Sequence, residues 1–151
     1  MHEFIKAAYD YQDNTFHSHP GYYIDYFEMR LAQLQVLHNL HYEIKKIRKM
    51  PKQALVIADY IMYMADYVVE MNIPDQQIEK LEEISEQMKQ EELPKTREEF
   101  EGRALLYHIL MDLEEFLVYK KRFVNGLDEK KLRIYWKQER EQKDSANELQ
   151  K

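Results

Sequence analysis

The chain has 151 residues, 44% of them hydrophobic and 33% charged, with three glycines, four prolines, a formal net charge of −6 and a pI of about 5.6. So few turn formers exclude an all-β or doubly wound α/β fold, and the acidic balance argues against a nucleic-acid binder, which needs a basic face. Without cysteine there is no disulfide and no thiolate nucleophile or metal ligand, which fits a reducing compartment.

The length is that of one domain, enough to bury roughly 70% of the unfolded surface. A first helix is expected over His2–Gln12, followed by a break at Asp13–Pro20. A long second helix runs from about Pro20 to Lys49, with Phe27, Leu31, Leu34, Leu37, Leu40, Ile44 and Ile47 recurring at helical spacing. Pro51 stops it and opens a third helix reaching about Met71. Here Ala54, Ile57, Ile61, Met64, Val68 and Met71 keep a three-four spacing. A second stripe, Leu55, Ala58, Met62, Ala65 and Val69, widens that face, so the helix is expected to touch at least two neighbours.

Pro74 starts a fourth helix ending near Glu92, with a narrow apolar stripe of Ile78, Leu81, Ile84 and Met88 that suits a peripheral position. The fifth helix is the best punctuated. Thr96 and Glu99 form a capping box, and Glu98, Glu99 and Glu101 suit the positive helix start. Lys120, Lys121 and Arg122 suit its negative end, and Gly126 fits the position after it. Leu106, Ile109, Leu110, Leu113, Phe116 and Leu117 make its core stripe. Gly102 lies on that stripe, where a helical glycine costs about 1 kcal/mol relative to alanine, so a neighbouring helix or ring is expected to approach closely. A sixth helix begins at the N-cap Asp128 and turns Leu132, Tyr135 and Trp136 inward.

These elements predict an all-α fold, an antiparallel bundle of five or six helices with one long helix, over residues 1–136. Residues 137–151 form a charged tail expected to fray or be disordered. No signal peptide is visible at the start of the chain. The best candidate for a membrane span, Ala54–Ile73, is interrupted by Asp59, Asp66 and Glu70, each costing about 2.5–3.5 kcal/mol at mid-membrane.

Chemistry-bearing patterns are sparse. His38 and His41 share a helical face, His108 has Asp112 one turn on, and His17 and His19 sit beside Asp10 and Asp13. Neither the Glu-x-x-His pairs of di-iron bundles nor a His-Glu-x-x-His zinc motif occurs, so no metal site is expected. Arg103 and His108 match the short Arg-x4-His pattern of HEPN-type ribonucleases. In a regular helix, however, five residues turn about 140° past a full turn, so the two diverge, and Glu99–Arg103 pairing is the structural alternative. The serines lack nucleophile flanks, and no glycine-rich phosphate loop is present. Twelve tyrosines are the compositional oddity. Tyr22, Tyr23, Tyr26 and Tyr60, Tyr63, Tyr67 read first as rings bordering the core, and alternatively as a pocket whose ligand carboxylate pairs with Arg30 or Arg103. Basic clusters at Lys45–Lys49 and Lys120–Arg122 fall at helix C-termini.

The run Leu93-Pro94, then Thr96 to Glu101, Arg103-Ala104, Asp112 to Glu114, Phe116 and Leu117 resembles the C-terminal domain of the bacterial putative aromatic acid exporter family. Tyr26 to Arg30, Tyr-Phe-Glu-Met-Arg, is similar to that domain as well, and the resemblance extends from Phe4 to about Trp136. It implies a non-enzymatic helical domain on the cytoplasmic side of the membrane, accessory to spans that this chain lacks, with a regulatory, assembly or ligand-sensing role. No catalytic residue and no cofactor is implied. Arg30, Glu101 and Arg103 are the expected polar or ligand-binding cluster. The membrane-spanning portion is the expected partner, with a homo-oligomer and a small aromatic carboxylate as further candidates and nucleic acid excluded. The alternatives are a histidine-dependent helical enzyme, as a metal site or HEPN-like ribonuclease, and a free-standing helical adaptor.

Overall fold

The computed structural model describes residues 3, 5, 6, 21–49 and 51–136. Four helices follow one another, α1 (Tyr22–Lys45), α2 (Gln53–Ala65), α3 (Asp75–Lys89) and α4 (Arg97–Asn125), and residues 129–136 form a further helical segment, α5. No strand occurs among the described residues. Of the expected first helix only Glu3, Ile5 and Lys6 are described, and these are helical; the remainder of that helix, His17, His19 and the tail after Trp136 lie outside the described residues.

The longest helix, α4, is the central one and packs on α1, α2 and α3. Its start follows from its cap. Thr96 Oγ1 accepts the Glu99 amide at 3.1 Å, and Glu99 reaches back to the Lys95 amide at 2.8 Å. Its end differs in one respect from the sequence reading. Gly126 caps the helix at φ −76°, in the right-handed region, so the freedom peculiar to glycine is not used. The chain turns instead through Leu127 into α5, where Asp128 Oδ1 accepts the Lys131 amide at 2.6 Å.

The packing is antiparallel. Gln33 in the middle of α1 bonds to the Phe116 carbonyl of α4, while Tyr22 at the start of α1 meets Phe123 and Trp136 beyond it. In the same sense Tyr60 of α2 donates to the Gln77 carbonyl of α3 at 2.7 Å, and Gln53 reaches Glu91. The expected α4 stripe, Leu106 to Leu117, is buried throughout and forms the main core with Val36, Leu40, Ile57, Tyr60, Met64, Leu81, Ile84 and Met88. A second, aromatic cluster at the other end joins Tyr22, Met29, Phe123, Val124 and Trp136, with Tyr22 and Tyr135 stacked at 4.1 Å.

Gly102 meets the expected close neighbour, and it is a ring. A Cβ built there would lie 3.2 Å from Pro51 Cγ. Gly102→Leu should therefore overpack this contact, costing about 1–3 kcal/mol before the gain in helix propensity offsets part of it. The expected result is a melting temperature lowered by several degrees in a thermal denaturation followed by circular dichroism.

Three expectations need correction. The core face of α1 is Tyr22, Met29, Gln33, Val36 and Leu40, whereas Leu34 is 53% exposed, and Leu37 and Ile44 are also exposed. Apolar residues surround this helix, and α4 selects the face on which Gln33 can bond its backbone. Next, α1 stops at Lys45 rather than Lys49, which lets Ile47 fold back onto the core and Pro51 sit against Gly102. Finally, α2 stops at Ala65 rather than Met71, and its second stripe faces outward, with Leu55 69% and Met62 73% exposed. No proline or glycine marks that end. The chain leaves the helix through tighter turns, the Tyr67 and Val68 amides donating to the Met64 and Ala65 carbonyls, and further along the loop the Val69 and Glu70 carbonyls accept from the Lys120 ammonium.

Candidate functional site

Two places concentrate polar groups, one at each end of the bundle. At the aromatic end, Lys120 of α4 is 4% exposed. Its Nζ donates to the Val69 carbonyl at 2.8 Å and to the Glu70 carbonyl, and the Tyr26, Phe123 and Trp136 rings surround it at about 6 Å. Neither of these hydrogen bonds goes to a carboxylate. Burial, seconded by the nearby Arg30 guanidinium, pushes the Lys120 ammonium down to about 8. The Glu70 carboxylate is engaged elsewhere, accepting from the Tyr22 hydroxyl at 2.6 Å, and Tyr22 in turn accepts from Trp136 Nε1 at 3.2 Å. Burial, then that bond to Glu70, holds the Tyr22 hydroxyl well above the usual phenol range.

Arg30 sits beside this lysine. Its Nε donates to the Tyr26 hydroxyl at 3.0 Å and its Nη1 to Gln33 Oε1 at 2.7 Å, and Gln33 passes the link to the Phe116 carbonyl at 2.9 Å. Arg30, Gln33, Tyr67, Asn72 and Lys120 border a cleft with a volume of about 10 Å³, room for a single water molecule.

The opposite end has a larger groove, about 830 Å³, between the α1–α2 connection, the end of α3 and the start of α4. Arg103 lies there and donates to the Glu92 carbonyl, so the expected Glu99–Arg103 pair is not made. Lys49, Lys52, Lys95 and Arg103 face Glu91, Glu92, Glu98 and Glu99, which balances the charge of the groove. Glu101 is exposed and accepts from Arg97 Nε at 3.0 Å. Arg30 and Arg103 do not meet. Arg30 is tied through Gln33 to Phe116, thirteen residues beyond Arg103 on α4, or about 20 Å along the axis.

The described histidines, His38, His41 and His108, form no centre. Among the described residues no three metal-ligating side chains converge. His38 and His41 are exposed and pack ring edges on Tyr42. His108 Nδ1 stands 3.5 Å from Asp112 Oδ2, a buried oxygen without a hydrogen bond. Burial raises the Asp112 carboxyl, and His108 opposes that shift. α4 runs unbroken through Arg103 and His108, so they keep the divergence that regular helix geometry imposes.

Sequence reasoning missed Gln33, Gln77 and Lys120 as buried groups. Gln33 was findable, since it shares the three-four spacing of Met29, Val36 and Leu40. Lys120 continues the stripe of Phe116, Leu117, Phe123 and Val124, where a cation among buried apolar residues signals a waiting acceptor.

The fold and these networks define an all-α antiparallel bundle whose polar side chains mainly tie helix to helix and helix to turn. The chain belongs to the family described as "Putative aromatic acid exporter C-terminal domain", whose family model matches residues 1–121. It is 29% identical over 118 residues to "Uncharacterized protein YqjA" of Bacillus subtilis (strain 168), covering 78% of this chain and 37% of that protein. The chain thus spans little more than a third of that relative's length. It is also similar to the crystal structure of a "putative membrane protein" from Clostridium difficile 630, with a TM-score of 0.68 and 28% identity, over 81% of this chain and 72% of that one. The family match ends in the last turns of α4, and α5, whose Trp136 closes the aromatic cluster, lies beyond it. No described helix is long and apolar enough to cross a membrane.

Proposed function

We propose that this chain is a non-enzymatic accessory domain of a membrane exporter, on the cytoplasmic side, and that it assembles or gates the membrane-spanning portion rather than sensing cargo. The observation that carries this is the family match over 121 residues in a chain spanning 37% of its Bacillus relative, which leaves room for a membrane portion in the parent.

Assembly or gating is preferred to sensing because charge and space are separated. An aromatic carboxylate needs a cationic partner and a cavity of a few hundred Å³. The paired cations Arg30 and Lys120 border a cleft of about 10 Å³. The roomy groove around Arg103 is lined by as many carboxylates as cations, which leaves no excess of positive charge to draw an anion. In this reading Arg30 and Arg103 clamp α1 and the α3–α4 turn to the bundle, while Glu101 is an outer-surface partner of Arg97.

The test is deletion of the domain from the full-length parent, with efflux of aromatic acids from cells and the amount and assembled state of the membrane portion measured together. Efflux or assembly is expected to fall. Unchanged efflux and unchanged assembly would overturn the proposal. Saturable binding of benzoate-type acids to the isolated chain, lost in Arg30→Ala, would restore sensing over assembly.

A further inference from the structure

α2 has two apolar faces, and the bundle uses one. Ile57, Tyr60 and Met64 are buried against the core. Leu55, Ala58, Met62 and Ala65 are all exposed, at spacings of three, four and three residues. At 100° per residue these four occupy an arc of about 80°, turned well away from the core face. The stripe alternates large and small side chains and contains no polar residue. On α1 the exposed apolar residues Leu34, Leu37 and Ile44 share their face with His41, so it offers no continuous apolar seam.

We infer that α2 pairs antiparallel with α2 of a second copy of this chain. The pattern of sizes selects that orientation. About a twofold axis near Tyr60, Leu55 lies opposite the partner's Ala65 and Ala58 lies opposite the partner's Met62. Each large side chain therefore meets a small one, and the helices approach closely. A parallel pair would set leucine on leucine and alanine on alanine, with clash and void alternating.

Charge agrees with size. Lys52, Asp59 and Asp66 share one edge of the stripe, and in a twofold antiparallel pair an edge faces its own copy. Lys52 then stands within about two residues of the partner's Asp66, twice by symmetry, or roughly 3 Å along the axis. Asp59 approaches the partner's Asp59, the one like-charge pair, which weakens the contact. The acidic edge also disfavours an anionic lipid surface as the occupant.

A 13-residue helix is about 20 Å long, and its seam is smaller than the roughly 800 Å² per partner of a stable complex. The isolated chain should thus dimerise weakly, and tethering to a common support would strengthen the pair by effective concentration. The inference stands on α2 alone and does not depend on the exporter reading.

Sedimentation velocity from micromolar to millimolar concentration tests it. The wild-type chain should shift from monomer to dimer. Met62→Glu, at a residue 73% exposed, should keep its helicity by circular dichroism and lose at least tenfold in association. Lys52→Glu and Asp66→Lys should each weaken the dimer, the double swap should restore it, and Asp59→Asn should tighten it. The chain has no cysteine, so engineered pairs report cleanly. Ala58→Cys with Met62→Cys in one chain should cross-link on oxidation. Leu55→Cys alone should not, because the two copies of that residue lie about 15 Å apart. A monomer at every concentration, a double swap that fails to restore association, efficient Leu55→Cys cross-linking, or flotation with neutral-lipid vesicles that requires Met62 would each overturn the antiparallel pair.

Discussion

Leu113→Ala should lower the free energy of unfolding by about 3 kcal/mol, whereas Leu34→Ala should change it by less than about 0.5 kcal/mol. The chemistry removed is the same, and only its place differs. Leu113 is 1% exposed at the middle of α4, within the core that α1, α2 and α3 share, so truncation leaves a cavity that three neighbours must collapse to fill. Leu34 is 53% exposed on the outer side of α1. A loss of that size is a large part of the 5–15 kcal/mol typical of a domain, and at this length it corresponds to a fall of roughly 6–12 °C in Tm. Urea titrations of the two variants with a shared m-value decide it. Equal costs would mean that the register of α1 on α4 described above is wrong.

The same pair of leucines shows what the sequence could and could not convey. α4 was legible in its cap, body and end because Thr96, Glu99 and the stripe from Leu106 to Leu117 all point to one answer, and a central helix buries the stripe its sequence marks. The seam of α3 and the inward Trp136 were legible for the same reason. On α1, leucines and isoleucines occur on more than one side, so periodicity allows several registers. The face used is the one that packs on α4, Tyr22, Met29, Val36 and Leu40 with Gln33 among them, and Gln33 fits that face because it meets the Phe116 carbonyl, a partner that the α1 sequence by itself does not reveal. The end of α2 was illegible because no proline or glycine stands at it: the chain leaves Ala65 through turns in which the Tyr67 and Val68 amides donate to the Met64 and Ala65 carbonyls, and the loop that follows is held by Lys120, about fifty residues away in sequence. The expected cluster of Arg30, Glu101 and Arg103 rested on a shared motif. Its members come from two runs on two helices, Arg30 on α1 and Glu101 and Arg103 on α4, and antiparallel packing sets the start of α4 far from Arg30, so the two arginines serve different ends of the bundle.

The stability of the chain should rise between pH 8 and pH 10, and Lys120 should be the cause. Its ammonium is buried and held down to about 8, below the 10.5 of the free side chain. Below pH 8 folded and unfolded chains both carry the proton, and the folded chain bears the full cost of the buried charge. Between pH 8 and 10.5 the folded chain releases the proton first, the unfolded state binds more protons, and stability therefore increases with pH. The whole rise amounts to roughly 3 kcal/mol at most. Tyr22 and Tyr60 close the window from above. Burial holds both hydroxyls above the usual phenol range, with Glu70 adding to the effect at Tyr22 and Tyr63 at Tyr60. Groups raised in this way contribute stability that is lost as the unfolded phenols ionise beyond pH 10. Urea midpoints at pH 7 and pH 9.5 should therefore differ in favour of the higher pH, and Lys120→Met should remove the difference. Lys120→Glu would set a carboxylate against the carbonyls of Val69 and Glu70, and should cost about 3–5 kcal/mol, with the loop after α2 released. If Lys120→Met retains the same rise with pH, the titrating group lies elsewhere, and the buried charge of Lys120 is not what limits stability at neutral pH.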